Sequence, residues 1–475
     1  MLEELRDSLS RSYCSKGKFQ HRKAEIIRLF PYVTHSPPPS TEEDFRSFLG
    51  ISGEVSRQVK GFKKCKNLDI ETVKSALESK VDTEEFSCLV DIIKKLAFDE
   101  QGIVSPFALS AFPYLSFIKK NPTLREIGSF LYSIFFSENE SLRSEVDFEH
   151  KDDDNVLHSL IHESFPSLEL ESKKMTHPKY HRIDVGLDEV FEQDWMFLIK
   201  TPKLLHSYYS EFLKFYALIY QFRAVEQLER LFLDDSLSPI YFTLDWESCS
   251  SNRIAYQAGW KRLEPKIQQI YSHVNCIELL NHISPEGLSA PYTYQDFKTW
   301  CSTANESKKR KVEESLDCLI EFYQESISAL ANGGKWCGWE AYEPFQDSGY
   351  TDEVLNKSFR LFKMVECQFR NSHRNAPASR YASWIIQFAT TSFIKRRGRI
   401  GNTLALSRDQ ILFLTQLVVG SKEKLRLHDY WIGLKRRGID FDHDSRRKIV
   451  ELFERLNLLE KKSDSGDAQY VRAII

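Results

Sequence analysis

Two groups of basic residues near the C-terminus have the types and spacing to do chemistry: Lys435-Arg436-Arg437 and Arg446-Arg447-Lys448, followed by Lys461 and Lys462. Cations repeated over successive turns neutralise phosphates and release counterions, so the chemistry they offer is salt-dependent contact with a DNA backbone. They also have a plainer use. Lys435 to Arg437 complement the dipole at a helix C-terminus, and basic faces of this kind dock proteins as well.

Other candidate chemistry is weaker. Gly333-Gly334-Lys335 lacks both the upstream Gly and the following Ser or Thr with which a phosphate loop holds phosphates and magnesium, and Asn332-Gly333-Gly334 reads as a turn. His158 and His162 lie four apart on a predicted helix, a spacing that can hold a metal, but Glu163 is outside HExxH order and a solvated face accounts for them. The triplets Glu171/Lys173 and Glu306/Lys308 have the form of half a metal-nuclease core, which needs a paired acid on a neighbouring strand, but at 28% charged residues such triplets arise by chance. Lys308-Lys309-Arg310-Lys311, set between acids, reads as an exposed helix face. No Ser-His-Asp or Cys-His arrangement can be defended, so no catalytic residue, metal or cofactor is predicted.

The elements that must position the basic groups can be read from caps and periodicity. Ser407-Arg408-Asp409-Gln410 is a capping box that opens a helix with Ile411, Leu412, Leu414, Thr415 and Val418 apolar, closed by Gly420. A second helix from about 425 carries Leu427, Tyr430, Trp431 and Leu434 and stops at Gly438. Asp442 or Asp444 caps a third, which buries Ile449, Val450, Leu452, Phe453 and Leu456. Residues 458–462 and 469–474, joined by Ser463-Asp464-Ser465-Gly466-Asp467, read as a β-hairpin. Three helices and a hairpin make a winged helix-turn-helix, in which Arg446 to Lys448 begin the groove-facing helix. Its caps are complete, so a fragment from about 400 is expected to fold alone with Trp431 as core anchor.

The rest of the chain is mainly α. Residues 124–136 and 212–225 carry apolar stripes near a period of 3.6, and strand-like runs are confined to 182–185, 241–244 and the tail. Three joints suggest themselves: Ser36-Pro37-Pro38-Pro39-Ser40, the acidic stretch 145–155, and 395–403. The predicted organisation is therefore a multi-domain helical protein, with an N-terminal helical region 1–145, a mostly helical body 156–394 with a few short strands, and a winged-helix domain 403–475.

Charge divides along the same line. The 475 residues carry 65 Lys or Arg against 68 Asp or Glu, so the chain as a whole is no polycation. Residues 395–475, however, hold 18 Lys or Arg against 11 Asp or Glu, a net of +7 where the first 394 residues carry −10. The longest uncharged run, 101–118, contains two prolines and is too polar to span a membrane. With no basic, apolar start and nine scattered cysteines lacking any CxxC, the chain is expected in the cytoplasm with each cysteine a buried reduced thiol.

The tail Lys435-Arg436-Arg437-Gly438-Ile439-Asp440-Phe441-Asp442, with Ser445-Arg446-Arg447-Lys448-Ile449-Val450 and the run Leu458-Leu459-Glu460-Lys461-Lys462-Ser463-Asp464-Ser465-Gly466-Asp467-Ala468-Gln469-Tyr470-Val471, resembles the C-terminus of the DptG family. This is the G subunit of the bacterial DNA phosphorothioation-dependent restriction system. The match covers about the last forty residues and carries no catalytic motif. The resemblance implies an accessory subunit of an anti-phage defence complex that attacks double-stranded DNA lacking the sulfur mark, its partners being the ATPase and the translocase or cleavage subunits. Against this non-enzymatic DNA-binding and assembly role stand a nuclease with a metal site dispersed over 145–310, and a winged-helix adaptor that contacts only protein.

Overall fold

From Phe212 to Glu226 every residue of one long helix is buried, so this segment has to be enclosed on all sides. The computed structural model describes residues 2–474 except 16–17, 22–24, 66–67, 79–85, 118–120, 147, 149–155, 172–178, 234–235, 332–335, 340–348 and 462–468. It is mainly helical. Helix α1 (Asp188–Ile199) leads through Thr201 into the 28-residue α2 (Pro202–Glu229), whose Pro202 sits at the first helical position, where no amide hydrogen is required. Tyr209, Phe212, Tyr216, Ile219, Tyr220 and Phe222 of α2 are all buried. Polar side chains on so enclosed a helix need partners. Gln221 Nε2 donates to the Ala217 carbonyl at 2.8 Å, and Arg223 Nε to that of Val185 at 2.8 Å.

Around α2 pack helix α3 (Trp260–Leu280) and helices Glu353–Asn371 and Asn375–Ser392 behind it. On the N-terminal side, helices Leu49–Lys60 and Pro122–Phe135 approach closely through glycine. A Cβ on Gly128 would lie 2.7 Å from that of Glu54, and one on Gly53 would lie 2.5 Å from the Leu115 carbonyl oxygen. Only a residue without a side chain permits that spacing.

The strands tie the tail to the body. Between α2 and α3 runs β1 (Ile240–Leu244), at the position the sequence predicts. The expected joint at 395–403 is an antiparallel hairpin of β2 (Ile394–Arg396) and β3 (Asn402–Leu406). Helix α4 (Arg408–Val419), strand β4 (Lys424–Arg426), helix α5 (Leu427–Arg436) and strand β5 (Ile439–Phe441) follow, then α6 (His443–Arg455), β6 (Leu459–Lys461) and β7 (Gln469–Arg472). One sheet has the order β2-β3-β1-β5. In it β1 is parallel to β3, with Leu244 opposite Leu406, and to β5, with Phe242 opposite Phe441. These short strands are buried on both faces, as parallel strands require. A strand of the body thus lies between two strands of the tail.

Several readings of the sequence change here. The 182–185 run is extended but belongs to no described strand: the Ile183 amide donates to the Tyr220 hydroxyl at 2.9 Å, a side chain standing where a neighbouring strand was expected. Only Cys276 and Cys301 are buried, Cys88 is exposed and the other six are half-buried. Most of the acidic joint, Gly333-Gly334-Lys335, Lys173 and Lys462 lie outside the described residues. Among the described residues no helix is long and apolar enough to cross a membrane.

Candidate nucleic-acid interface

The capping chemistry of the tail is as the sequence predicts. Gln410 donates its amide to Ser407 Oγ at 3.2 Å, and its side chain accepts the Ser407 amide at 2.9 Å. Gly420 closes α4 with φ +60, and Gly438, after α5, has φ +83. Asp442 caps α6 by accepting the Ser445 amide at 3.1 Å. Strands β4, β7 and β6 form a second sheet in the order β4-β7-β6, with both pairs antiparallel. The core anchor is displaced by one residue from the expected position. Tyr430 is fully buried, its hydroxyl 3.1 Å from Thr415 Oγ1, whereas Trp431 is half-buried and its outer ring face carries the Arg446 guanidinium at 5.1 Å. Successive positions on a helix point about 100° apart, so on this amphipathic helix one of the two neighbours is turned outward.

The predicted phosphate-binding cations divide into three groups. Arg437 is the clearest correction, because it is in the interior. Its Nε donates to Asp194 Oδ2 at 2.8 Å and its Nη2 to the other oxygen, while Nη1 and Nη2 reach the Gly433 and Leu417 carbonyls at 2.8 and 2.9 Å. Its side chain is 7% exposed, so no DNA can reach it. Burial lifts the Asp194 carboxyl above its ordinary value against the pull of Arg437, and Tyr216 adds a 2.6 Å hydrogen bond. Lys435 and Arg446 converge on a second buried acid, Asp440, at 3.5 and 2.5 Å. The remainder are surface pairs: Arg436 with Glu189 at 3.2 Å, Arg447 with Asp444 at 3.5 Å, Lys448 with Glu451 at 2.8 Å and Lys461 with Glu454 at 2.6 Å. Exposed pairs of this kind contribute about 0–1 kcal/mol and exchange readily for a phosphate.

Nor do they form one patch. Arg436 lines a cleft of about 1960 Å³ between α1 and the end of α4, whereas Arg446, Arg447, Lys448 and Lys461 are not among its walls. Both signs of charge line that cleft, Lys200, Lys203 and Lys422 against Glu192, Glu423 and Asp429. Of the histidine pair, the His158 ring lies 5.7 Å from the Phe107 ring; among the described residues no group of three or more His, Cys, Asp or Glu is arranged to hold an ion. Lys308 pairs with Glu286 at 3.1 Å at the start of its helix.

The N-terminus of α6 is fixed to the body by an ionic lock. Arg253, in the loop after β1, donates from Nε to Asp442 Oδ2 at 2.9 Å and from Nη2 to Asp442 Oδ1, to Glu247 at 3.3 Å and to Ser445 Oγ at 2.7 Å. Burial opposes the charge on Asp442; Arg253 and the amides of Ser445 and Ala255 overcome it and hold the carboxyl below its ordinary value. A depressed carboxyl stabilises the fold above its unfolded value near ~3.9 and loses that contribution as pH falls through the folded value. The wild-type unfolding midpoint is therefore expected to fall on acidification below about pH 4, where unfolded carboxyls protonate. Asp442→Asn should be less stable at neutral pH and show a flatter acid limb in urea melts. Parallel curves would mean that Asp442 carries no linked proton.

The sequence reading missed the β2–β3 hairpin as a basic element. Lys395, Arg396 and Arg399 are exposed on it, while Arg397 turns inward to Thr403 Oγ1 at 2.8 Å and the Leu244 carbonyl at 2.6 Å. The signal was present in the density of cations at 395–399, which also suits a linker. No protein-family model matches the chain, and no curated protein is found similar to it.

Proposed function

We propose that the chain is a non-catalytic DNA-binding and assembly subunit of a phosphorothioation-dependent restriction complex, which acts in the cytoplasm on double-stranded DNA lacking the sulfur mark beside ATPase and translocase or cleavage partners. The observation that carries the DNA-binding part is the tail's order of elements, α4-β4-α5-β5-α6 followed by the β6–β7 hairpin, with β7 central in the β4-β7-β6 sheet. That order suits a winged helix-turn-helix, in which α6 is the groove-facing helix. Its net charge of +7 in an otherwise acidic chain supports contact with phosphates. The assembly role and the identity of the complex rest on the resemblance of the last forty residues to the DptG family.

Within α6, Arg447 and Lys448 are the residues to test. Arg446 is left out because it also neutralises buried Asp440. Replacing Arg447 and Lys448 together by Ala is expected to flatten the slope of log affinity against log salt by about 2, since each phosphate contact releases about 0.9 counterion. The loss should be near uniform across DNA sequences, because backbone contacts position and do not discriminate. Fluorescence anisotropy over a salt series measures it. An unchanged slope, with capture of a partner subunit lost, would make the tail a protein-docking module.

A further inference from the structure

One loop that contributes to neither helix nor sheet is held from both sides by side-chain hydrogen bonds. Residues 245–253 follow β1 and emerge at the carboxyl ends of the parallel strands β1, β3 and β5, the edge at which such sheets place ligands. On one side Arg397 of the hairpin donates to the Glu247 carbonyl, and Lys395 donates to that of Asp245. On the other, Arg253 holds the Ser248 carbonyl at 2.8 Å while gripping Asp442 at the start of α6. Glu247, 3% exposed at its side chain, accepts the Leu244 amide at 2.9 Å and the Ser445 hydroxyl at 2.6 Å.

What this framework holds up is apolar. Trp246 is 41% exposed and Ile254, just past the loop, is 57% exposed. The other seven of the chain's eight tryptophans are buried or half-buried. The two elements that hold the loop carry exposed cations: the hairpin, bonded to the Asp245 and Glu247 carbonyls, has Lys395, Arg396 and Arg399, and α6, bonded to Arg253, has Arg447. Tyr256 ties the far end of the hairpin to this face through its hydroxyl, which donates to the Ile400 carbonyl at 2.9 Å. An exposed aromatic ring on a loop held between two cation-bearing elements is an arrangement on which a nucleic-acid base stacks while its phosphates are neutralised.

We infer that Trp246 is a stacking platform for an unpaired base, and that the loop, the hairpin and the start of α6 form a site for a junction between duplex and single-stranded DNA. The inference deepens the DNA-binding reading and rests on it: α6 would hold the duplex, and Trp246 the first unpaired nucleotide beside it. Preorganisation by Arg253 and Arg397 spares the site the cost of ordering a loop on binding.

The test uses the full chain and two labelled probes, a blunt duplex and the same duplex with a single-stranded overhang, compared by anisotropy at one salt concentration. Wild type is expected to bind the overhang probe about tenfold more tightly, the lower range of a base–aromatic stack. Trp246→Ala should abolish that preference while leaving blunt-duplex affinity within about twofold, and Trp246→Phe should keep most of it. Trp246→Leu, which retains apolar bulk without a ring face, should behave as the Ala variant does and guards against a packing defect. Equal weakening on both probes, or a preference that survives Trp246→Leu, overturns the stacking role. Blunt-duplex binding without any preference in wild type overturns this inference alone, and failure to bind either probe overturns the DNA-binding reading together with it.

Discussion

Arg437→Ala is expected to destabilise the protein by about 3–5 kcal/mol, the cost of leaving a buried charge without its partner. Asp194 is 2% exposed and receives two of the guanidinium's hydrogen bonds, and burial already lifts its carboxyl, so the variant must either protonate that acid or admit water to it. The Leu417 and Gly433 carbonyls lose donors at the same time. Folding reported by the urea midpoint is the measurement. A loss below about 1 kcal/mol would mean the pair is solvated like a surface ion pair. Removing both charges, with Arg437→Met and Asp194→Leu, should recover most of the loss, because apolar pairs of similar volume replace buried ion pairs at little cost. DNA affinity at a temperature where both proteins are folded should be unchanged, which separates this arginine from Arg447 and Lys448.

A fragment from about residue 400 onward is expected to show no cooperative melting, the opposite of what its complete caps suggest. Cutting there removes β1 from between β3 and β5 and exposes the ladder groups of both strands. It also strands Arg437 without Asp194 and Asp442 without Arg253. Unpaired strand edges and uncompensated buried charges each cost more than a cap of about 1 kcal/mol can return. Circular dichroism on the fragment checks it. A sharp transition near that of the full chain would mean that the tail carries its own core. Adding back residues 188–399 should restore the transition, since these supply Asp194, β1 and the Arg253 loop.

The local chemistry of the tail was legible because it depends on residues three or four apart. Ser407 and Gln410 announce their capping box, Gly420 and Gly438 their left-handed stops, and Asp442 its cap, each through a contact the chain makes with its own next turn. The mainly helical body was legible from its period for the same reason. Choosing between neighbours was harder. Tyr430 and Trp431 are adjacent and both aromatic, and only the fit against Thr415 and Phe453 decides which one enters the core.

The sequence by itself therefore determined the helices of the tail, their ends, the β6–β7 hairpin and the concentration of positive charge there. Tertiary structure alone decided which of those charges face outward. Arg437 meets an acid 243 positions away, Arg253 meets one 189 positions away, and Trp246 is raised to the surface by a hairpin about 150 residues downstream. No periodicity encodes such pairs. A cation on a helix turn looks the same whether a buried carboxylate or water lies beyond it, and the free energy that separates the two comes from desolvation, which exists only once the chain has closed around the site.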